Sequence, residues 1–200
     1  VDGPPARVVV EAGADADLLV VGRHGTTGIG RFLVGSVTER VLDDPPVPVL
    51  VVPAEADSTP SYRTVALLVD DSAIGREAAS AAVSVAKATG GSLSPLAVVD
   101  DRFAGTPGLR RTLEGEARST VKEVAVRAAR AAVESDATVT IGVPAAELLD
   151  HVDSVGADLA VVGLDAARSL DRHVATNVAR RVVRQADVPV LVVPDRRPDD

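Results

Sequence analysis

The sequence has no cysteine, methionine or tryptophan, and only one tyrosine and two phenylalanines in 200 residues. Without cysteine there are no disulfides, thiolate nucleophiles or zinc–thiolate sites, and a reducing compartment fits, so a cytoplasmic location is expected. A basic excess is also missing: 21 Lys and Arg stand against 29 Asp and Glu, a formal net charge of −8. The arginines are scattered among carboxylates along helical faces, which removes the electrostatic footprint of a nucleic-acid-binding protein. Long apolar runs are lacking too. Val49–Val52 and Val65–Val69 fall far short of the roughly 20 residues of a membrane-spanning helix, so no membrane partner is expected. No basic segment followed by an apolar one opens the chain, so secretion is not indicated. With methionine absent even at position 1 and a loop-like Asp2-Gly3-Pro4-Pro5 following, the natural beginning is expected to lie upstream of Val1.

The sequence is rich in valine, alanine and leucine, arranged as short apolar runs alternating with Ala-rich helical stripes. Buried parallel strands covered by helices produce this pattern. A short amphipathic helix is expected within 3–16, then a strand at Leu18–Val21, a glycine-punctuated loop, a helix and a strand at Val47–Val52. Ser36 stands three residues before Glu39, the capping-box spacing at a helix N-terminus. Residues 54–61 have a linker composition. A second run of strands follows at Thr64–Val69, Ser92–Val99, Val139–Val143, Leu159–Val162 and Val188–Val193. Between them lie helices, including a long one over Leu109–Ser135 with a charged solvent face and another from about Asn177 to Gln185. His151 and His173 fall on helical or loop surfaces with no neighbouring ligand set, so no metal site is expected.

The chain repeats itself. Asp17–Pro53 aligns with Asp158–Pro194 at a constant offset of 141, with about 16 of 37 positions identical, and both copies end in VPVLVVP. The second copy is preceded by three strands and the first by none, so unit one reads as the back half of a domain and unit two as a whole one. In the first copy Gly22, Gly25, Gly35 and Ser36 are spaced G-x2-G-x9-G-S. Glycines between a strand and a helix let backbone amides approach a ligand closely, and the helix start adds partial positive charge, so an anion is the natural guest. The alternative for Gly22, Gly25, Gly28, Gly30 and Gly35 is a plain turn. No nucleophile–base–acid constellation and no P-loop lysine is present, so no catalytic residue is assigned and an enzyme is not the expected reading.

On this spacing, flanked by two buried strands and accompanied by its own repeat, the chain resembles the universal stress proteins, specifically a tandem member. The resemblance implies a doubly wound, Rossmann-like α/β fold with a five-stranded parallel sheet in the order 3-2-1-4-5. It divides the chain into the C-terminal half of a first domain at 1–54, a linker at 55–61, a complete second domain at 62–194 and a polar tail at 195–200. The implied ligand is ATP with Mg in the full-length first domain. The phosphate half maps to Gly22, Arg23, His24, Gly25, Gly35, Ser36 and Val37, while the ribose and adenine half falls before Val1. In the second domain the resemblance points to Asp70 for ribose, Val98 for adenine and Gly163 as the counterpart of Gly22, with Asp70 equally readable as a turn residue capping the next helix. There Gly25, Gly35 and Ser36 are replaced by Ala166, Thr176 and Asn177, and Asp71 and Asp165 add negative charge, so no ATP is expected in that unit. Asn177 is expected to keep the helix start.

The functional expectation is a stress-response regulatory or adaptor protein with a nucleotide as partner; a weak ATPase and a ligand-free interaction module are the alternatives. The apolar segments Val47–Pro53 and Val188–Pro194 would sit at sheet edges and demand cover. They are expected to pair, within the chain as a pseudo-dimer or between chains as a homo-oligomer, burying Val49 and Val190.

Overall fold

The computed structural model describes residues 3–24, 34–54, 56, 61–164 and 172–195, the stretch 172–177 by its helical backbone. In chain order these form α1 (Pro5–Gly13), β1 (Leu19–Gly22), α2 (Ser36–Val41), β2 (Val49–Val52), β3 (Thr64–Leu68), α3 (Ala73–Thr89), β4 (Ser92–Asp100), α4 (Pro107–Arg130), β5 (Thr138–Gly142), α5 (Pro144–Val155), β6 (Leu159–Leu164), α6 (Arg172–Gln185) and β7 (Val190–Pro194). All seven strands belong to one sheet, in the order β1-β2-β7-β6-β3-β4-β5. Each described pairing is parallel except β2 with β7. There the two VPVLVVP segments run antiparallel, with Val49 opposite Val192, Leu50 opposite Leu191 and Val51 opposite Val190. Val49 and Val190 are 0% and 2% exposed. Each strand would otherwise leave a row of unpaired amides and carbonyls at an apolar edge, so pairing satisfies both at once.

Because side chains alternate across a strand, the sheet has two apolar faces. Ala66, Ala160, Val162, Val190, Val192, Val49 and Val51 share one core with Leu148 and Val152 of α5, Val182 and Val183 of α6 and Val41 of α2. Val65, Leu67, Leu159, Val161, Leu191 and Val193 share the other with the alanine stripe of α3 and with Val121 and Val124 of α4. Cover is complete around β6 and incomplete at β1. Leu159 and Val161 are 1% and 0% exposed, whereas their counterparts Leu18 and Val20 are 42% and 61% exposed. The reason is that β6 has β3 beside it and α3 across it, and β1 is the end of the sheet.

Three local expectations change. The long helix ends at Arg130 instead of Ser135: Ala132 takes a left-handed φ of 58°, the Val133 amide donates to Ala128 O at 2.9 Å, and Ser135 is drawn into a bridge with Leu93. The Ser36–Glu39 capping box does not form. Gly35 is the N-cap, its carbonyl accepts the Glu39 amide at 2.9 Å, and the Glu39 carboxylate turns instead to Arg184 of α6. In the second copy α6 begins at Arg172, so position 177 lies inside the helix and does not start it. With threonine at 176 in place of the glycine that breaks the first copy at 35, the helix runs further toward its N-terminus.

His151 is the clearest departure, because it is 8% exposed and buried in the interior, not on a surface. Its Nε2 lies 2.9 Å from Ser94 Oγ on β4, and Ser94 Oγ donates to Asp136 O at 3.2 Å. Burial holds the imidazole below the ordinary histidine range, with the Ser94 bond and the Asp136 charge acting in the opposite direction. The folded state therefore favours the neutral ring. The stability this confers is complete above the unfolded pKa of roughly 6.5 and is lost as pH falls from there through the lower folded value. Urea midpoints measured from pH 8 to pH 5 should decline on the acid side, and the decline should be shallower in His151→Gln; identical profiles would contradict this.

Candidate functional site

The ladder ends in the first copy build a tied turn. The Arg23 amide donates to Val52 O at 2.7 Å, extending the β1–β2 pairing by one residue. The Gly35 amide then donates to Arg23 O at 2.8 Å, and buried Thr38 donates from Oγ1 to Gly22 O at 2.8 Å. These bonds bring the start of α2 back onto the end of β1. Gly22, Arg23, Gly35 and Ser36 thus cluster at one end of the sheet, with Ser36 exposed and Val37 packed against the core. The Arg23 side chain points inward: it is 1% exposed, and Nη1 donates to Ala186 O, just past the end of α6, at 2.6 Å. His24 is partly buried. Gly25, Gly28 and Gly30 lie outside the described residues.

Asp70 and Val98 come together in the second copy. Both line a cavity of about 180 Å³ at the C-terminal ends of β3 and β4, roofed by Leu113, Glu116, Ala117 and Thr120 of α4. The turn after β3 explains how Asp70 is held. Asp70 Oδ1 accepts the Ser72 amide at 3.1 Å and the Ser72 hydroxyl, and Ser72 Oγ in turn accepts the Gly75 amide at 2.9 Å, capping α3. Gly75 is required at this point: a Cβ there would collide with both the carboxylate and the backbone oxygen of Asp70. Gly163, one strand away on β6, faces the same turn. A Cβ on it would stand 2.5 Å from Ile74 Cγ2, so its missing side chain makes room for the first turn of α3. It does not line the cavity.

The cavity is apolar on one side, from Val98, Phe103 and Leu113, and acidic on the other. Asp70, Asp71, Asp100 and Glu116 line it; Asp70, Asp71 and Glu116 also line an adjoining cavity of about 310 Å³ whose wall carries Arg76 and Arg127. Arg102 sits outside, bonded through Nε to both Asp100 oxygens at 2.8 and 3.1 Å, with its guanidinium 5.6 Å from the Phe103 ring centroid. The bond to Arg102 holds the Asp100 carboxyl below the ordinary carboxylate range, so Asp100 is charged near neutral pH. Asp100, Phe103 and Glu116 were not among the expected site residues. A signal was present: the chain leaves β4 through Asp100-Asp101 as it leaves β3 through Asp70-Asp71.

Because β2 and β7 run antiparallel, the Gly22 cluster and the Asp70–Val98 cavity lie at opposite ends of the sheet. Each copy therefore carries its own strand-end region, and the two do not combine. The Universal stress protein family pattern matches residues 1–53 and 61–194. The chain belongs to the universal stress protein family. A universal stress protein of Methanocaldococcus jannaschii is 31% identical over 139 residues, covering 66% of this chain and 82% of that one. One from Mycolicibacterium smegmatis is 29% identical over 197 residues, covering 96% of this chain and 66% of its own length. The chain thus spans slightly under two thirds of that relative. Among solved structures, a universal stress protein from Archaeoglobus fulgidus superposes with a TM-score of 0.74 at 24% identity, covering 96% of this chain and 67% of that one. A universal stress protein crystallised with cAMP superposes with a TM-score of 0.54 at 23% identity, covering 66% and 97%. These two likenesses establish the mostly parallel α/β fold. Among the described residues no helix is long and apolar enough to cross a membrane.

Proposed function

We propose that this universal stress protein is a stress-response regulatory or adaptor protein in which the two copies have diverged: the first carries an ATP-type phosphate-binding half, and the second holds no nucleoside triphosphate. The observation that carries the reading is the charge of the Asp70–Val98 cavity. The residues that the resemblance assigns to ribose and adenine meet there, and Asp71 and Glu116 line the same space beside Asp100, which is paired with Arg102; the nearest basic side chains, Arg76 and Arg127, stand in the adjoining cavity. Two like charges about 4 Å apart repel by several kcal/mol at an intermediate dielectric before screening, which opposes a polyphosphate. The longer α6 adds support, since helix begins five residues before the position that starts it in the first copy, between Arg172 and position 177. Taken within 64–194, the strand sequence β5-β4-β3-β6-β7 is the 3-2-1-4-5 order of a five-stranded unit. This favours a complete second domain at 62–194 joined to the back half of a first one at 1–54. Their meeting at β2 and β7 then makes an intramolecular pseudo-dimer. The cAMP-bound relative supports a nucleotide as the ligand class.

The test is thermal unfolding of the chain with ATP and Mg, and separately with inorganic triphosphate. A ligand that binds only the folded state stabilises it by about 2.7 kcal/mol at a hundredfold excess over Kd and so raises Tm. A rise with either compound that disappears in Gly35→Asp and persists in Asp70→Asn is the expected outcome. A rise lost in Asp70→Asn assigns the ligand to the second copy and overturns the divergence. No rise at all leaves the ligand-free interaction module as the reading, and phosphate release abolished by Gly35→Asp would make the chain a weak ATPase.

A further inference from the structure

The β2 and β7 segments are identical, Val47–Pro53 and Val188–Pro194 both reading VPVLVVP. Their backbones alone therefore cannot distinguish β2 paired with β7 from β2 paired with another β2, or β7 with another β7. The observed register is that of a two-fold axis through Leu50 and Leu191, with Val49 opposite Val192 and Val51 opposite Val190. At the 141-residue offset, Val192 is the counterpart of Val51 and Val190 that of Val49. In such an arrangement position i of one copy meets position j of the other, and j meets i. The helices beside these strands obey the same relation, and there the copies differ.

Glu39 and Arg180 are counterparts, as are Asp43 and Arg184. Across the axis Arg184 Nη2 lies 2.9 Å from Glu39 Oε1, and Arg180 Nη2 lies 2.6 Å from Asp43 Oδ1. Arg180 Nη2 also donates to Leu42 O at 3.2 Å. The two ion pairs are thus one pair of positions seen twice, with both acids on the α2 side and both bases on α6. A like-with-like union would set Glu39 against Asp43 of a second α2, or Arg180 against Arg184 of a second α6, and repel at both contacts.

We infer that Glu39, Asp43, Arg180 and Arg184 are the specificity-determining residues of this interface: they make each copy fit the other and reject its own kind. Exposed ion pairs add little net stability, and these are partly exposed, at 51% and 42% for Arg184 and Glu39 and 22% and 65% for Arg180 and Asp43. Their effect lies in the penalty on the wrong partner, because discrimination is a difference between affinities and an unfavourable charge contact supplies it directly. The partner this surface fits is a strand–helix edge of the same apolar sequence and opposite helix charge. In this chain that edge is supplied internally. The inference rests on the observed pairing and repeat, and is independent of any nucleotide.

The test is a charge exchange in the full chain. Glu39→Arg with Asp43→Arg places four arginines at the two contacts, and Arg180→Glu with Arg184→Asp places four carboxylates there. Each double variant should lower Tm by about 3–6 °C at low salt, the scale of about two lost or reversed surface interactions in a chain of this size. The loss should shrink at 0.5 M NaCl, where the screening length is only a few ångströms. Joining the two exchanges restores opposite charges in reversed order, and this four-site variant should recover Tm to within about 1–2 °C of the original. Sedimentation should also show the single-sided variants associating when mixed with one another, and less so when each is alone. Double variants as stable as the parent, or a four-site variant no better than the sum of its halves, would overturn the assignment.

Discussion

Replacing Val49 by aspartate is expected to release residues 3–54 from the sheet while 62–194 stays folded. Val49 is fully buried between β1 and β7 and sits in the core with Val51, Val190 and Val192. The substitution forfeits about 1.5–3 kcal/mol of valine burial. It also buries a carboxylate among the apolar side chains Val51, Val190 and Val192, at a further cost of several kcal/mol. Against a total stability on the order of 5–15 kcal/mol for a domain, that is enough to break the β2–β7 union. It need not unfold the rest, because β3 to β7 keep α3, α4, α5 and α6 and most of both cores. Hydrogen exchange followed by peptide should show rapid labelling across 3–54 with protection kept in β3, β6 and β7. A single transition in which every strand loses protection together would mean that the two copies form one cooperative unit, against the proposed division at 55–61.

Gly75→Ala should lower stability by about 2 kcal/mol, even though alanine is the better helix former by about 1 kcal/mol. The new Cβ would occupy the space of Asp70 Oδ1 and of the Asp70 carbonyl. Backbone cannot yield as a flexible side chain would, and overpacking of this kind costs about 1–3 kcal/mol. The displaced carboxylate would also lose the Ser72 amide, and the Ser72 cap on α3 would loosen with it, a cap being worth about 1 kcal/mol. Gly115→Ala is the matched control. It lies inside α4, and a Cβ there would meet nothing within 4 Å, so helix propensity alone should raise stability by about 0.5–1 kcal/mol. Opposite signs for the two variants in a Tm measurement are the expected result. A stabilising Gly75→Ala would show that the Asp70 turn adapts freely and is not a fixed feature of the cavity.

Most of the fold was legible from local pattern. Runs such as Leu159–Val162 and Val65–Val69 could only be buried strands, and the alanine stripe of α3 could only be a packed helical face. The pairing of the two VPVLVVP ends could be anticipated because each was too apolar to remain an open edge. The meeting of Asp70 with Val98 followed from the family resemblance. The acid wall around them, from Asp100 and Glu116, did not, because it depends on where α4 crosses the ends of β3 and β4.

Other features were hidden for the same kind of reason. His151 reads from the sequence as a surface residue with no neighbouring ligand set, and its burial comes from the packing of α5 against the sheet, where Ser94 of β4, 57 residues away in sequence, meets its ring. Glu39 looked like half of a capping box until Arg184, 145 residues away, offered a closer partner. The sequence by itself determined the strands, the helices, the repeat and the loss of glycine in the second copy, because these rest on side-chain periodicity and backbone freedom at single positions. Only the tertiary structure decided the antiparallel β2–β7 union, the ion pairs that cross it and the placing of the two strand-end regions at opposite ends of the sheet. Those depend on which distant segments come together, and identical strands carry no local information about their partner.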